Sequence, residues 1–182
     1  MPILRMNPLV GVLAFAVACG EVAAAPPAVP RAGGPDHPES DWAMWKRDPA
    51  LAACHARVRA QGDLVAGVAA FAQACAAATR MHQIDQTVVG TQQAHETPFA
   101  IPVQVEANHC YRAYGMAAPS LLDLNLAFVD SMGHVAGADG TEGSIAVALD
   151  DGAVCFSQAD DVKLNVSSGN GGGKFAVQIW SD

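Results

Sequence analysis

Two spacings of apolar residues divide most of this chain. Between positions 48 and 76 they recur every three or four residues, the interval that lines one face of a helix; beyond Met81 they recur at every second residue, which lines one face of a strand. Asp48-Pro49 is a helix start, with an oxygen-bearing N-cap and a proline at the first helical position. Leu51, Cys54 and Val58 then follow at helical steps, Gly62 stops the run, and Asp63 caps a second segment whose stripe is Leu64, Val68, Phe71 and Cys75. The pattern predicts a helical hairpin over residues 41–80, with Trp42 and Trp45 packed on it.

The alternating part predicts strands at Phe99–Val105, Leu122–Phe128, Val162–Val166 and Phe175–Ile179. Turn signals separate them: Ala107-Asn108-His109, Asp130 to Gly133, Gly137 to Gly140, Asp150-Asp151-Gly152 and Gly169 to Gly173. Further strands at Ile84–Val89, at Ile145–Leu149 and near Cys110 and Cys155 bring the number to about eight. Strands joined by such turns without intervening helices predict an antiparallel sandwich, jelly-roll-like, over residues 81–182. The fold class is therefore α+β, and residues 41–182 are the length of one domain.

The start of the chain follows neither spacing. Arg5 precedes the ten-residue apolar run Leu9–Ala18, about half of what a membrane-spanning helix needs, so residues 1–18 read as an export signal. Ala16-Val17-Ala18-Cys19 resembles the bacterial lipobox, in which small residues precede a cysteine that is acylated and becomes the mature N-terminus. Ordinary cleavage at Val22-Ala23-Ala24 is the alternative, and it would discard Cys19 and give a secreted protein. From Ala23 to Ser40 there are five prolines and two glycines, so residues 19–40 read as an extended tether. Both readings place the protein outside the cytoplasm; the lipobox reading anchors it to a membrane, taken as the outer membrane of a Gram-negative bacterium.

An oxidising compartment changes the reading of the other cysteines. Cys54 and Cys75 lie on facing helical stripes and are expected to bridge, two buried free thiols being the alternative. The formal net charge of −8 becomes −9 once residues 1–18 and their one charge are removed, which argues against a nucleic-acid partner.

The segments Cys110-Tyr111-Arg112, Leu122 to Leu126, Asp130 to Gly133, Val154-Cys155-Phe156 and Gly171 to Trp180 resemble the C-terminal sandwich of uncharacterised myxobacterial lipoproteins. More distantly they are similar to bacterial pre-peptidase C-terminal domains. The resemblance covers about residues 97–182 and implies the sandwich fold, a final glycine-rich hairpin and a disulfide between Cys110 and Cys155. That pairing and Cys54–Cys75 each stay within one structural unit.

Chemical motifs are sparse. The six histidines, His37, His55, His82, His95, His109 and His134, show no zinc spacing, and no Gly-x-Ser-x-Gly elbow is present. Gly169 to Lys174 has no hydroxyl after the lysine and reads as a hairpin turn rather than a phosphate loop. Asp123 and Asn125 share one face of a strand, with Asp130, Asp139 and Glu142 in nearby turns; oxygen ligands so placed form a candidate Ca²⁺ site centred on Asp123, Asn125 and Asp139, against the simpler reading of a solvated outer face. The expectation is a non-catalytic envelope lipoprotein, a binding or structural module for a protein or polysaccharide ligand, held at the membrane through Cys19. An accessory or inhibitory partner of a secreted hydrolase and a small extracytoplasmic hydrolase are the alternatives.

Overall fold

The computed structural model describes residues 40–59, 62–76 and 79–182; Cys19, the signal and almost all of the tether lie outside them. Strand β1 (Ala43–Arg47) precedes helices α1 (Pro49–His55) and α2 (Leu64–Ala76). Nine strands follow: β2 (His82–Gln83), β3 (Val88–Gln93), β4 (Phe99–Val105), β5 (His109–Ala117), β6 (Leu121–Val129), β7 (Val135–Ala138), β8 (Ile145–Val147), β9 (Gly152–Phe156) and β10 (Asp160–Ser181). This is a mixed α+β fold with a nearly closed, barrel-like sheet. It has ten strands among the described residues where about eight were expected.

The helix signals act as their chemistry dictates. Asp48 accepts from the Ala50 amide at 2.9 Å, and Asp63 Oδ1 accepts from the Val65 and Ala66 amides at 3.0 and 3.1 Å, satisfying donors that each helix start leaves open. Cys54 and Cys75 are bridged, which ties α1 to α2, and Cys110 and Cys155 bridge the paired strands β5 and β9.

The sheet is organised by β10, which is 22 residues long and continues without a break through the glycine cluster. Its first half pairs with β4 on one side and β6 on the other; its second half pairs with β3 and β2 on one side and β5 on the other. Since β3 and β5 run along the second half and β4 and β6 along the first, all antiparallel to β10, three neighbouring tracks of chain bend at one level. The expected hairpin at 169–173 is therefore corrected. Register shifts around Asn170 leave Gly169 without a partner on β6, and Gly171 has φ +75°, so the cluster bends one strand instead of reversing the chain.

Glycine is required here by space as well. A Cβ on Gly171 would lie 2.3 Å from the Ser120 carbonyl oxygen, and one on Gly169 2.0 Å from Asp123 Oδ2. This also corrects the expected outward face of β6: Asp123 is buried against Gly169, whereas Leu122, at the start of the strand, is 56% exposed.

Two apolar clusters result. The barrel interior holds Val103, Leu124, Leu126, Phe128, Val154, Leu164, Phe175 and their neighbours. Trp42 and Trp45 belong against this interior, not on the helices: β1 pairs with β9, and the Trp45 indole N–H donates to the Ala136 carbonyl at 2.6 Å, bringing β1 to β7 at the opposite end of the strand order. The second cluster lies between the helices and the outer face of the sheet, where Leu51, Val68 and Phe71 meet Tyr114, Met116, Ala176 and Trp180. Covered on both sides, β5 and the second half of β10 are apolar almost continuously.

The expected strand Ile84–Val89 is corrected: residues 84–87 connect β2 to β3, only Val88 and Val89 are in a strand, and Ile84 and Val89 are 38% and 53% exposed. This edge of the sheet has no third layer to bury them.

Two outcomes follow for stability. Gly171→Ala is expected to cost about 2 kcal/mol or more, from its left-handed backbone and the Ser120 oxygen in the path of the new methyl. Gly62→Ala, which meets nothing within 4 Å, is the control and changes chemical-denaturation midpoints little. Loop closure over the 21- and 45-residue separations predicts that removing the Cys54–Cys75 or Cys110–Cys155 bridge by paired serine substitution lowers stability by about 3 and 4 kcal/mol respectively. Equal midpoints for intact and serine-substituted proteins would contradict this.

Candidate functional site

The helix-covered face of the sheet carries charge where its sequence is otherwise apolar. Even-numbered residues of β5 face the helices, and among them Arg112 is completely buried. Its Nη2 donates weakly, at 3.4 Å each, to the carbonyls of Leu149 and Asp150, while Nε and Nη1 have no hydrogen-bond partner. The guanidinium carbon stands 5.1 Å from the Tyr114 ring centroid. Burial lowers the Arg112 pKa, and the guanidinium remains a cation because its ordinary value is so high.

A buried cation needs a nearby anion, and the turn before β9 supplies it. Leu149 takes a left-handed conformation, φ +71°, and the chain there delivers Asp150 toward both Arg112 and the end of α1. Asp150 Oδ1 lies 3.5 Å from Nδ1 of His55, the last residue of α1, and its Oδ2 accepts from the Gly140 amide at 3.1 Å. His55 stacks on Phe71 at 5.8 Å between ring centroids, Phe71 meets Tyr114 edge-on at 5.2 Å, and Tyr114 meets Trp180 at 6.3 Å. Helix and sheet thus meet through a line of rings.

Asp139, just beyond β7, completes the group. It is 2% exposed, and its Oδ1 accepts from both the amide and the hydroxyl of Thr141, at 3.1 and 3.0 Å. Burial, and then the neighbouring Asp150 charge, push its pKa up to about 8, so at neutral pH it carries a proton beside Asp150. Burial also raises Asp150, against the lowering effects of the Asp139 side chain and of His55. Burial lowers His55, opposed by Asp150. Burial raises Tyr114, opposed by the adjacent Arg112 charge; at hydrogen-bond geometry the Tyr114 hydroxyl has no partner. Arg112 is the cation of the cluster; the Asp150 carboxyl faces it, and the carboxyls of Asp150 and Asp139, both raised by burial, face each other.

Above the cluster lies a shallow, open hollow of about 440 Å³ whose polar lining is His55, Arg59, Thr141, Glu142, Ser144 and Asp150. His55 and Asp150 are its link to the interior, with side chains 14% and 25% exposed. The hollow can hold a small ligand at its rim; Arg112 is not part of its lining.

The residues expected to form a Ca²⁺ site are not gathered into one donor set. Asp139 is committed to Thr141 and Asp150, Asp123 lies against Gly169 with Oδ1 unpartnered, and the Asn125 amide donates to the Asp123 carbonyl at 3.5 Å. Asp130 Oδ1 accepts from the Met132 and His134 amides, closing its turn. Among the described residues no group of three or more His, Cys, Asp and Glu side chains is placed to hold a metal. Arg112, His55 and Asp150 did not stand out in the sequence. The one available signal was an arginine inside the otherwise apolar run Cys110–Ala117, which in a strand covered on both faces marks a buried charge.

No family model matches the chain, and no curated protein matches it.

The raised Asp139 pKa has a consequence for stability. Asp139 binds its proton more tightly folded than unfolded, so its contribution is greatest at low pH and is lost as pH rises toward about 8. His55 acts in the opposite sense: its lowered pKa gives a contribution present above the unfolded value of 6.5 and lost as pH falls through the folded one. Above pH 6.5 the His55 effect is complete, and what remains comes from the paired carboxyls Asp139 and Asp150. Asp139→Asn, which keeps the acceptor for Thr141 and cannot ionise, is expected to melt close to the parent near pH 5. Between there and about pH 9 it should gain at least about 1 kcal/mol, or roughly 3 °C, over the parent. Parallel melting curves across that range would show that Asp139 is ionised in the folded protein.

Proposed function

We propose that this protein is a non-catalytic cell-envelope lipoprotein, anchored through Cys19, whose helix-covered barrel is a binding or structural module. The observation that carries the non-catalytic reading is the direction of the polar groups. Arg112 and Asp139 are shut beneath the surface, each beside Asp150, and only the partly exposed edges of His55 and Asp150 reach the shallow hollow. An active site requires its charged groups at the reacting atoms. Here they join a helix to a sheet, and all four cysteines of the described residues are in bridges, so none is a free nucleophile.

The export part of the reading rests on Arg5, the apolar run Leu9–Ala18 and the small residues before Cys19, and the two disulfides support it because such bridges persist in oxidising compartments. Among the described residues no helix is long and apolar enough to cross a membrane. In the same reading the bent strands form a jelly-roll-like sandwich, and the resemblance to myxobacterial lipoproteins and pre-peptidase C-terminal domains is one of fold. One observation favours a second reading, a small hydrolase: His55, its pKa lowered by burial, faces the same hollow as Ser144 and is oriented by Asp150.

Intact mass of the protein purified from membranes tests the first reading. A diacylated cysteine at the mature N-terminus, lost together with membrane association in Cys19→Ala, is the expected result; a protein starting at Ala25 without lipid contradicts the anchor. Labelling of Ser144 by a fluorophosphonate probe, abolished in His55→Gln, would replace the binding module with the hydrolase.

A further inference from the structure

Among the described residues the barrel-like sheet leaves a gap between strands β2 and β4, and that gap is hollow. Strands β2 and β4 are both edge strands; each hydrogen-bonds to β10, at opposite ends of it, and no pairing joins them. Pro102 stands in the middle of β4, where its missing N–H suits an edge. Between the two edges is a cleft of about 610 Å³, within the range of small-ligand sites and at the mouth of a barrel, where such sites recur.

The walls of the cleft differ by depth. Its floor is the end of the barrel core: Val103, Tyr111 and Ile179 reach it from β4, β5 and β10 and are otherwise buried, and Ile84 and Pro102 extend the apolar surface outward. Tyr111 is fixed by its edge-on contact with Phe156 at 5.8 Å and by accepting the Glu106 amide at 2.7 Å, so the floor is formed before any ligand arrives. The rim carries Asp85, Glu106 and Asp182, two imidazoles from His82 and His109, and no lysine or arginine. His109 stands between two of the carboxylates, 3.7 Å from Glu106 Oε2 and 3.7 Å from Asp182 Oδ1, which keeps both at the cleft. An apolar floor beneath an acidic rim attracts a positive group and gives its hydrocarbon body somewhere to go.

We propose that this cleft binds an organic cation, a primary amine carried on a short apolar chain, with the ammonium among Glu106, Asp182 and Asp85 and the chain on Val103, Tyr111 and Ile179. A neutral molecule of the same shape gains only the floor. An anion meets three carboxylates. This inference builds on the reading of the domain as a binding module by naming a ligand class.

The test is titration of the ¹⁵N-labelled, disulfide-intact full chain with cadaverine and, separately, with its neutral analogue pentanediol. Cadaverine is expected to give saturable amide shifts at Val103, Glu106, His109, Tyr111 and Ile179. Its affinity should fall about fivefold or more between about 20 mM and about 300 mM NaCl, because the rim is exposed to screening. Glu106→Gln combined with Asp182→Asn, which keeps an acceptor for the Cys110 amide, should weaken cadaverine about tenfold or more with melting unchanged. Absence of saturation, equal binding of pentanediol, or shifts scattered over the acidic surface would each overturn the proposal. An acylated protein that ignores cadaverine removes the amine site alone and leaves the binding-module reading standing.

Discussion

The bend in β10 is the constraint on which the rest of this structure depends. A single strand pairs with β4 and β6 through one half and with β2, β3 and β5 through the other, so both halves of the sheet inherit their position from a few residues around Gly169–Gly173. The bend needs an unpaired residue, a left-handed one, and room for neighbouring groups to enter the space where side chains would be. Asp123 occupies that space at Gly169, Ser120 at Gly171 and Gly173, and Gln93 at Gly172. Because β3–β4 and β5–β6 flank β10 and turn at the same level, this corner also sets where the barrel closes, at Trp45 against Ala136, and where it stays open, between β2 and β4.

From the bend follows the division of labour between the two faces of the sheet. The inner face is an ordinary apolar core. The outer face of β5 and of the second half of β10 would be exposed without the disulfide-linked helices, and the contact with them is made partly by rings and partly by a buried polar cluster. Replacing such a cluster with apolar residues of similar volume is often neutral or stabilising, so its presence is weak evidence for stability in itself. Its geometric effect is definite: Asp150 faces His55 and Arg112 at once, and thereby fixes how α1 sits on the sheet. The open cleft lies elsewhere, at the gap where β4, the end of β10 and the turn before β5 meet.

Legibility in the sequence followed the range of the interactions. The two helices were legible because their signals are local: caps at Asp48 and Asp63 and the stripes Leu51, Cys54, Val58 and Leu64 to Cys75, although Val58 lies beyond the end of α1 at His55. Strands β4, β6 and the first half of β10 were legible where one face is buried and alternation survives, as at Ile101, Val103 and Val105. Burial on both faces erases alternation, which hid the full extents of β5 and β10, and a glycine cluster has the same composition whether it reverses a chain or bends it. Strand β1 carries Lys46 and Arg47 on an edge and shows no clear period. The polar cluster draws on residues 55, 112, 139 and 150, with no spacing to connect them; only the tertiary fold brings them together.

If one bent strand governs the sheet, its two halves cannot open independently. Native-state hydrogen exchange measures this directly. The amides of Leu164–Val166 and of Ala176–Ile179 are expected to share the highest protection in the protein and to exchange with one free energy, equal to that of global unfolding, under increasing denaturant. Exchange of Leu164–Val166 through a separate opening of lower free energy, while Ala176–Ile179 stays protected, would show that the glycine-rich segment is a hinge between two independent sheets and would contradict the account.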